Sequence, residues 1–341
     1  MADQTQPPHT PGSAVTPQGK PTNPAILVVR GGAIGDFILT LPVLQALRQH
    51  LPKAEVHVLG YPRIAELARA GGHANEVHSV ESREMAMLFA RGVDPSPRLA
   101  SFFQRFAIII SYLYDPDGIF AANVGKCTKA QFHQGPHRPD GDGARHAVDL
   151  LLEPLERLAI FDPDPVPSLP LVPLGNAPLI SPTVTQLSSP SDFWLAVHPG
   201  SGGTIKNWPV ARWADLLGKL SRECPWHLLL IGGEAENETL KVLATCWPSD
   251  RLEVCANRPL PELARRMAGC DFFLGHDSGI THLAAAVGLP GLALWGPTNP
   301  RVWRPRSERF DLLEAGGHLE SLDVAEVLDG VRNCVARHVR R

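Results

Sequence analysis

The feature that most constrains this chain is an alternation of short apolar runs, glycine-rich turns and stretches with helical spacing. It is clearest from Cys270 to Pro300, CDFFLGHDSGITHLAAAVGLPGLALWGPTNP. Asp271 to Leu274 is a short run bounded by turn residues, as expected of a buried parallel strand. Gly275-His276-Asp277-Ser278-Gly279 is a break rich in glycine and helix-capping types. Ile280 to Val287 then has helical spacing, Gly288-Leu289-Pro290-Gly291 stops it, and Leu292 to Trp295 is the next buried strand. In an open α/β sheet, ligands sit beyond the carboxyl ends of the strands, where helix N-termini point free amides at them. Asp277, Ser278, Gly279 and Thr281 therefore fall where an anionic group would bind, with His282 one turn further in. The plain alternative is an ordinary strand–helix unit capped by Ser278 or Asp277.

The same alternation runs through the whole chain. Strands are expected at Ala25 to Val29, Val56 to Leu59, Glu76 to Val80 and Phe106 to Ser111. Helices are expected at Phe37 to His50, Arg63 to Ala70, Glu81 to Arg91 and Ala144 to Ile160, and Tyr112 to Gly143 reads mostly as loop. Eight prolines then crowd the stretch between Asp162 and Pro190. Such a stretch cannot extend a helix and acts as a semi-rigid spacer. After it come strands at Phe193 to Val197, His227 to Ile231 and Leu252 to Cys255. Helices follow at Val210 to Arg222, Ala235 to Cys246 and Pro261 to Ala268, with a last one at Leu322 to Arg337. Two strand–helix series joined by a proline-rich linker predict two doubly wound α/β domains with a cleft between them. The expected division is a tail over 1–24, a first domain over 25–161, a linker over 162–191 and a second domain over 192–341.

With 44% hydrophobic and 20% charged residues and a formal charge of −3, the 341-residue chain is globular, and its scattered basic residues make no nucleic-acid footprint. Its six cysteines show no paired ligand spacing and read as reduced thiols, which points to the cytoplasm. No apolar run approaches the roughly 18 to 20 residues of a membrane helix, so any membrane contact is expected to be peripheral. The first 24 residues, rich in proline and polar types, have no apolar core of a signal peptide and read as a disordered tail.

Gly31-Gly32-x-x-Gly35 after the first strand invites a dinucleotide reading. It lacks the full glycine pattern, and Leu59-Gly60-Tyr61 stands where the second strand should end in an acid. What remains is Asp36, at the start of a helix facing the mouth of the first domain. It is either a capping carboxylate or a general base looking across the cleft. In the second domain, His198-Pro-Gly-Ser-Gly-Gly-Thr-Ile-Lys-Asn-Trp-Pro209 is a loop that can cradle phosphate. Ser201 and Thr204 offer hydroxyls there, and Lys206 a compact positive charge for a leaving diphosphate. Glu234 and Glu236 follow the next strand and could accept from ribose hydroxyls, or simply favour a helix N-terminus. Three loops of one domain thus converge on one mouth and suit a nucleotide diphosphate, with Asp36 facing them. Asp115-Pro116-Asp117 is a rival: it follows an apolar strand, as the metal-binding D-x-D of GT-A enzymes does. The pattern recurs at Asp140-x-Asp142 and Asp162-x-Asp164, and that fold would leave the second half unexplained.

These motifs resemble those of glycosyltransferase family 9, the heptosyltransferases. The matching segments are the G-D-x-I-L-T-L-P of Gly35 to Pro42, His198-Pro-Gly-Ser with Lys206-x-Trp208-Pro209, and Asp277-Ser-Gly-Ile-Thr-His282. Gly296-Pro297-Thr298 and His146-x-x-Asp149 also fit, and the likeness extends from Ala25 to about Pro305. The resemblance implies the GT-B fold, two Rossmann-like domains facing each other across a cleft, and a metal-independent, inverting transfer without cofactor. It implies that the first domain takes the acceptor and the second the nucleotide sugar. It also implies Asp36 as base and Lys206 on the donor phosphates, with Ser278, Gly279 and His282 lining the donor site and Glu236 on the ribose. The implied donor is ADP-heptose and the implied acceptor a glycan or glycolipid of the lipopolysaccharide core, met at the inner face of the cytoplasmic membrane. A nucleotide-sugar epimerase of the same architecture, or a non-catalytic nucleotide-sugar binder, is the alternative. The epimerase would turn over donor without acceptor, and the binder would not need Asp36.

Overall fold

The computed structural model describes residues 24–139, 143–171 and 193–339. The expected tail, most of the proline-rich linker and Asp140-x-Asp142 lie outside them. The first sheet has strand order β3-β2-β1-β4-β5, with β1 at Ala25–Arg30, β2 at Glu55–Gly60, β3 at Glu76–Ser79, β4 at Phe106–Ser111 and β5 at Gln131–Gln134. The second has β6 at Trp194–His198, β7 at His227–Gly232, β8 at Leu252–Ala256, β9 at Phe272–His276, β10 at Gly291–Trp295 and β11 at Phe310–Glu314. Its order is β11-β10-β9-β6-β7-β8. Every pairing is parallel. Parallel sheets are covered on both faces, which is why β1, β9 and β10 are buried at every position. Two such sheets, each with its own strand reversal, make the GT-B architecture.

In the first half the helices are α1 at Ile34–Ile38, α2 at Leu41–His50, α3 at Pro62–Ala70, α4 at Arg83–Met87, α5 at Pro97–Phe103, α6 at Ile119–Cys127 and α7 at Ala147–Leu152. In the second they are α8 at Val210–Glu223, α9 at Asn237–Ala244, α10 at Leu260–Met267, α11 at Gly279–Ala286, α12 at Pro300–Trp303 and α13 at Val324–His338. The helix expected from Phe37 to His50 is broken in two, because Pro42 has no N–H to continue the ladder. Thr40 fills the break, its hydroxyl donating to the Asp36 carbonyl at 2.8 Å. Pro154 likewise ends the long helix expected from Ala144, and Glu153–Leu158 tightens into a 3₁₀ turn. The segment expected to be loop from Tyr112 to Gly143 holds α6 and the edge strand β5. That strand, like β11 at the corresponding edge of the other sheet, is interrupted by polar residues and does not register as an apolar run. Asp115 serves as a cap, its carboxylate accepting from the amides of Phe120 and Ala121. Asp117 pairs with Arg91 at 2.9 Å.

One apolar cluster runs through both halves, joining Ile38 and Leu155 to Ile280, Leu283 and Trp295. The residues of His146-x-x-Asp149 tie the halves together. His146 Nε2 lies 2.9 Å from the Arg304 carbonyl, and Asp149 pairs with Arg306. The described start of the proline-rich stretch is packed rather than bare: Leu169 is buried and its amide donates to the Ala286 carbonyl at 2.7 Å.

Candidate active site

Each sheet reverses its strand order beside its first strand, between β1 and β4 and between β6 and β9. Both reversals open a crevice beyond the carboxyl ends of the strands. From the first crevice comes α1, with Asp36 in its opening turn. Asp36 Oδ2 accepts from the Ala33 amide at 3.0 Å. Gly32 has a φ of 100°, which a side chain would strain, and a Cβ there would stand 2.8 Å from Asp36 Oδ2. Arg30, the last residue of β1, is buried behind this turn. Its guanidinium donates to the carbonyls of Asp36 and His137 and lies 3.8 Å from Asp36 Oδ1. Burial pulls the Arg30 pKa down, with Asp36 opposing. Arg30 was not singled out in the sequence. Its only signal there is a charge closing an apolar strand immediately before a Gly-Gly turn.

The second crevice is built by loops after β6, β7 and β9, three neighbouring strands. Lys206, in the 3₁₀ turn Thr204–Lys206, reaches across to Asp277 with Nζ 2.6 Å from Oδ2. Asp277 is thus the counter-ion that holds the lysine, while the backbone beyond it turns into α11. Ser278 caps that helix, its Oγ accepting from the Thr281 amide at 3.3 Å. Ser201 donates to the Gly203 carbonyl and shapes its own turn. Glu236 accepts from the Gly233 amide through Oε2 at 2.8 Å, and its Oε1 faces Gly200 so closely that a Cβ there would stand 2.4 Å away. Glu234 is exposed. Between the two candidates for the ribose, Glu236 therefore bridges the β6 and β7 loops and Glu234 points to solvent.

His276, the last residue of β9, is the buried hub of these loops. Its Nε2 accepts from the Trp208 amide at 3.0 Å, and its Nδ1 donates to the Gly200 carbonyl at 3.3 Å. Burial pushes its pKa down to about 3, and that of His198 to about 4. Both rings are neutral scaffolding, a role that no local sequence pattern announces.

The two crevices meet at α1 and α11. A Cβ on Gly35 would stand 3.3 Å from His282 Cδ2, and Gly279 abuts Ile34 and the Gly35 nitrogen. Close approach of two helix starts demands glycine on both sides. His282 is buried at this seam, and burial pushes its pKa down to about 4; Asp277 and Asp36 both oppose that shift, while His146 and Lys206 add to it. A carboxylate of one domain and a lysine–carboxylate pair of the other therefore act on one neutral imidazole. Most of the predicted residues are thus gathered at one seam: Asp36, Lys206, Asp277, Ser278, Gly279 and His282. Ser201, Thr204 and Glu236 lie on the loops beside it.

A profile of glycosyltransferase family 9 (heptosyltransferase) matches residues 181–323, the part that carries Lys206, Asp277 and His282. The second half of the chain thus resembles glycosyltransferase family 9. Relatives extend over most of its length. Lipopolysaccharide heptosyltransferase 3 of Escherichia coli is 22% identical over 312 residues, covering 84% of this chain and 87% of that protein. Among solved structures, a family 9 glycosyl transferase from Veillonella parvula superposes with a TM-score of 0.71 at 19% identity, covering 92% of this chain and 98% of the other. The E. coli heptosyltransferase WaaC solved with ADP-2-deoxy-2-fluoro heptose gives 0.67 at 20% identity, covering 91% and 99%. The solved structures share its fold across nearly the whole chain. Among the described residues no helix is long and apolar enough to cross a membrane.

Proposed function

We propose that this protein is an inverting, metal-independent glycosyltransferase that moves a heptose from ADP-heptose to a saccharide acceptor of lipopolysaccharide core or a related surface glycan. The observation that carries this reading is the seam at His282, where Asp36 of the first domain meets the Lys206–Asp277 pair and the start of α11 from the second. A diphosphate laid on the amides beginning α11 gains the helix dipole and the Lys206 charge. Those groups stabilise the negative charge that builds as the sugar leaves, the task a divalent ion performs in other transferases. Asp36 takes the proton of the acceptor hydroxyl as its oxygen attacks the anomeric carbon. Attack in one displacement from the face opposite the diphosphate inverts that centre. The choice of heptose and of ADP draws on the relatives named above, among them the heptosyltransferase solved with an ADP-heptose analogue.

A thermal-shift series across ADP-, GDP- and UDP-sugars tests the donor, since a bound ligand raises stability by mass action. ADP-heptose should give the largest shift. Incubation with donor and a truncated core saccharide should yield product of inverted anomeric configuration at a rate that EDTA leaves within about twofold, since the build-up of charge is met by helix amides and Lys206. Donor turnover without acceptor would instead indicate an epimerase, and product of retained configuration would end the single-displacement reading.

A further inference from the structure

Away from the cleft, β2 and β3 carry a cluster for which the transfer reaction has no use. His57 pairs in register with Glu76, and Leu59 with His78, in a parallel ladder. Because strand side chains alternate in direction, His57, Glu76 and His78 project from the same face. His57 Nδ1 lies 3.0 Å from His78 Nε2 and 3.6 Å from Glu76 Oε2, and His78 Nε2 lies 3.5 Å from that same oxygen. We propose that His57, Glu76 and His78 form a zinc site that clips the edge strand β3 to β2.

The spacing suits the ion. A tetrahedral centre with bonds of about 2.0 to 2.2 Å holds its ligand atoms roughly 3.3 to 3.6 Å apart. The two carboxylate separations match that spacing. The imidazoles, nearly parallel and joined by an N–H···N hydrogen bond, give up that bond and turn toward the ion on binding. Two imidazoles and one carboxylate favour zinc over the hard cations, which take oxygen. The surroundings fit as well. Glu55 Oε2 lies 3.4 Å from His57 Nε2, so the proton of this ring sits on Nε2 and the Nδ1 lone pair faces the cluster. A carboxylate behind a histidine is the usual support of a ligating ring. Phe106 packs edge-on against His57 and Phe102 against His78, which fixes both rings and keeps water from that side. Arg105 donates to Glu76 Oε2 at 3.3 Å, as ligating carboxylates commonly accept a further hydrogen bond. His57 is fully buried, whereas Glu76 is half exposed. The fourth position therefore opens to solvent and would be filled by water. On binding, His78 carries its proton on Nδ1 and presents Nε2 to the ion.

The experiment uses the full chain, stripped with chelator and dialysed. Titration with ZnCl₂ by calorimetry, and with Co²⁺ followed by its visible absorption, should show one equivalent bound and the intense band of a tetrahedral centre. Zinc should also raise the thermal midpoint. His78→Asn and Glu76→Gln change partly exposed side chains, and folding of each variant is checked by far-ultraviolet circular dichroism. Each should bind zinc at least about tenfold more weakly and lose the cobalt band. Wild-type protein that takes up no zinc overturns the proposal. So does uptake that is the same in both variants, which would place the ion elsewhere. Zinc bound by the wild type without a tetrahedral cobalt spectrum overturns the assigned ligand set.

Discussion

Gly279 of α11 packs on Ile34 of α1 so closely that a Cβ on the glycine would lie 2.7 Å from the isoleucine Cβ and 2.9 Å from the Gly35 nitrogen. The contact is with the Ile34 Cβ and the Gly35 nitrogen, atoms whose places the backbone fixes, so no flexible side chain can swing away to relieve it. It sets the distance between Asp36 and the amides of α11.

Gly279→Ala should therefore push the two helix starts apart. Overpacking of this kind costs about 1–3 kcal/mol, which thermal unfolding will register as a fall of several degrees. Transfer should fall with it, because the base no longer meets the donor at the right distance. An alanine variant with wild-type stability and wild-type rate would mean that the seam opens freely and does not position the reaction.

Lys206→Ala should weaken ADP binding by about 1.5 to 3 kcal/mol, the worth of a hydrogen bond to a charged group. The same change leaves Asp277 buried without its counter-ion, so the variant should also unfold more easily. Calorimetric titration of the folded variant separates the two effects. Equal ADP affinity in both proteins would remove Lys206 from the site.

Asp36→Asn keeps an oxygen to accept from the Ala33 amide, and so keeps the turn. It cannot accept a proton. General-base help is worth about 10²- to 10⁴-fold in rate, so turnover should collapse by that factor while donor affinity stays near wild type. A variant retaining more than about a tenth of the rate, less than the smallest expected loss, would disqualify Asp36 as the base.

Stability should decline as the solution is acidified from about pH 6.5 towards pH 4, the window between the ordinary histidine pKa and the depressed values of His198, His276 and His282. Those three rings sit at about 4, about 3 and about 4 in the folded protein, each pushed down mainly by burial. In that window the unfolded chain binds protons that the folded chain refuses, so acid favours unfolding. Their stabilisation is complete above pH 6.5 and is lost as pH falls through the folded values. Each histidine contributes a slope of about 1.4 kcal/mol per pH unit where it is protonated only in the unfolded chain. Denaturant unfolding at half-unit steps measures the slope, and a flat profile between pH 6.5 and 4.5 would mean that these rings are not held neutral.

By itself the sequence determined the repeating strand–turn–helix order, the two series and the loops that carry Asp36, Lys206 and Ser278. Those features are local: apolar runs, glycine breaks and capping residues are read from neighbours along the chain, and parallel pairing then places every such loop on one edge of its sheet. What the loops do to one another was decided only by the tertiary structure. Lys206 finds Asp277 across 71 positions, Glu236 closes on Gly200, and Arg30 is buried behind Asp36. His146 and Asp149 brace the second domain through Arg304 and Arg306. The strands β5 and β11 form because each has a buried neighbour to pair with, although neither is apolar enough to declare itself. Pairing energies depend on distance through space, and a periodicity that reaches only a few residues along the chain carries no information about it.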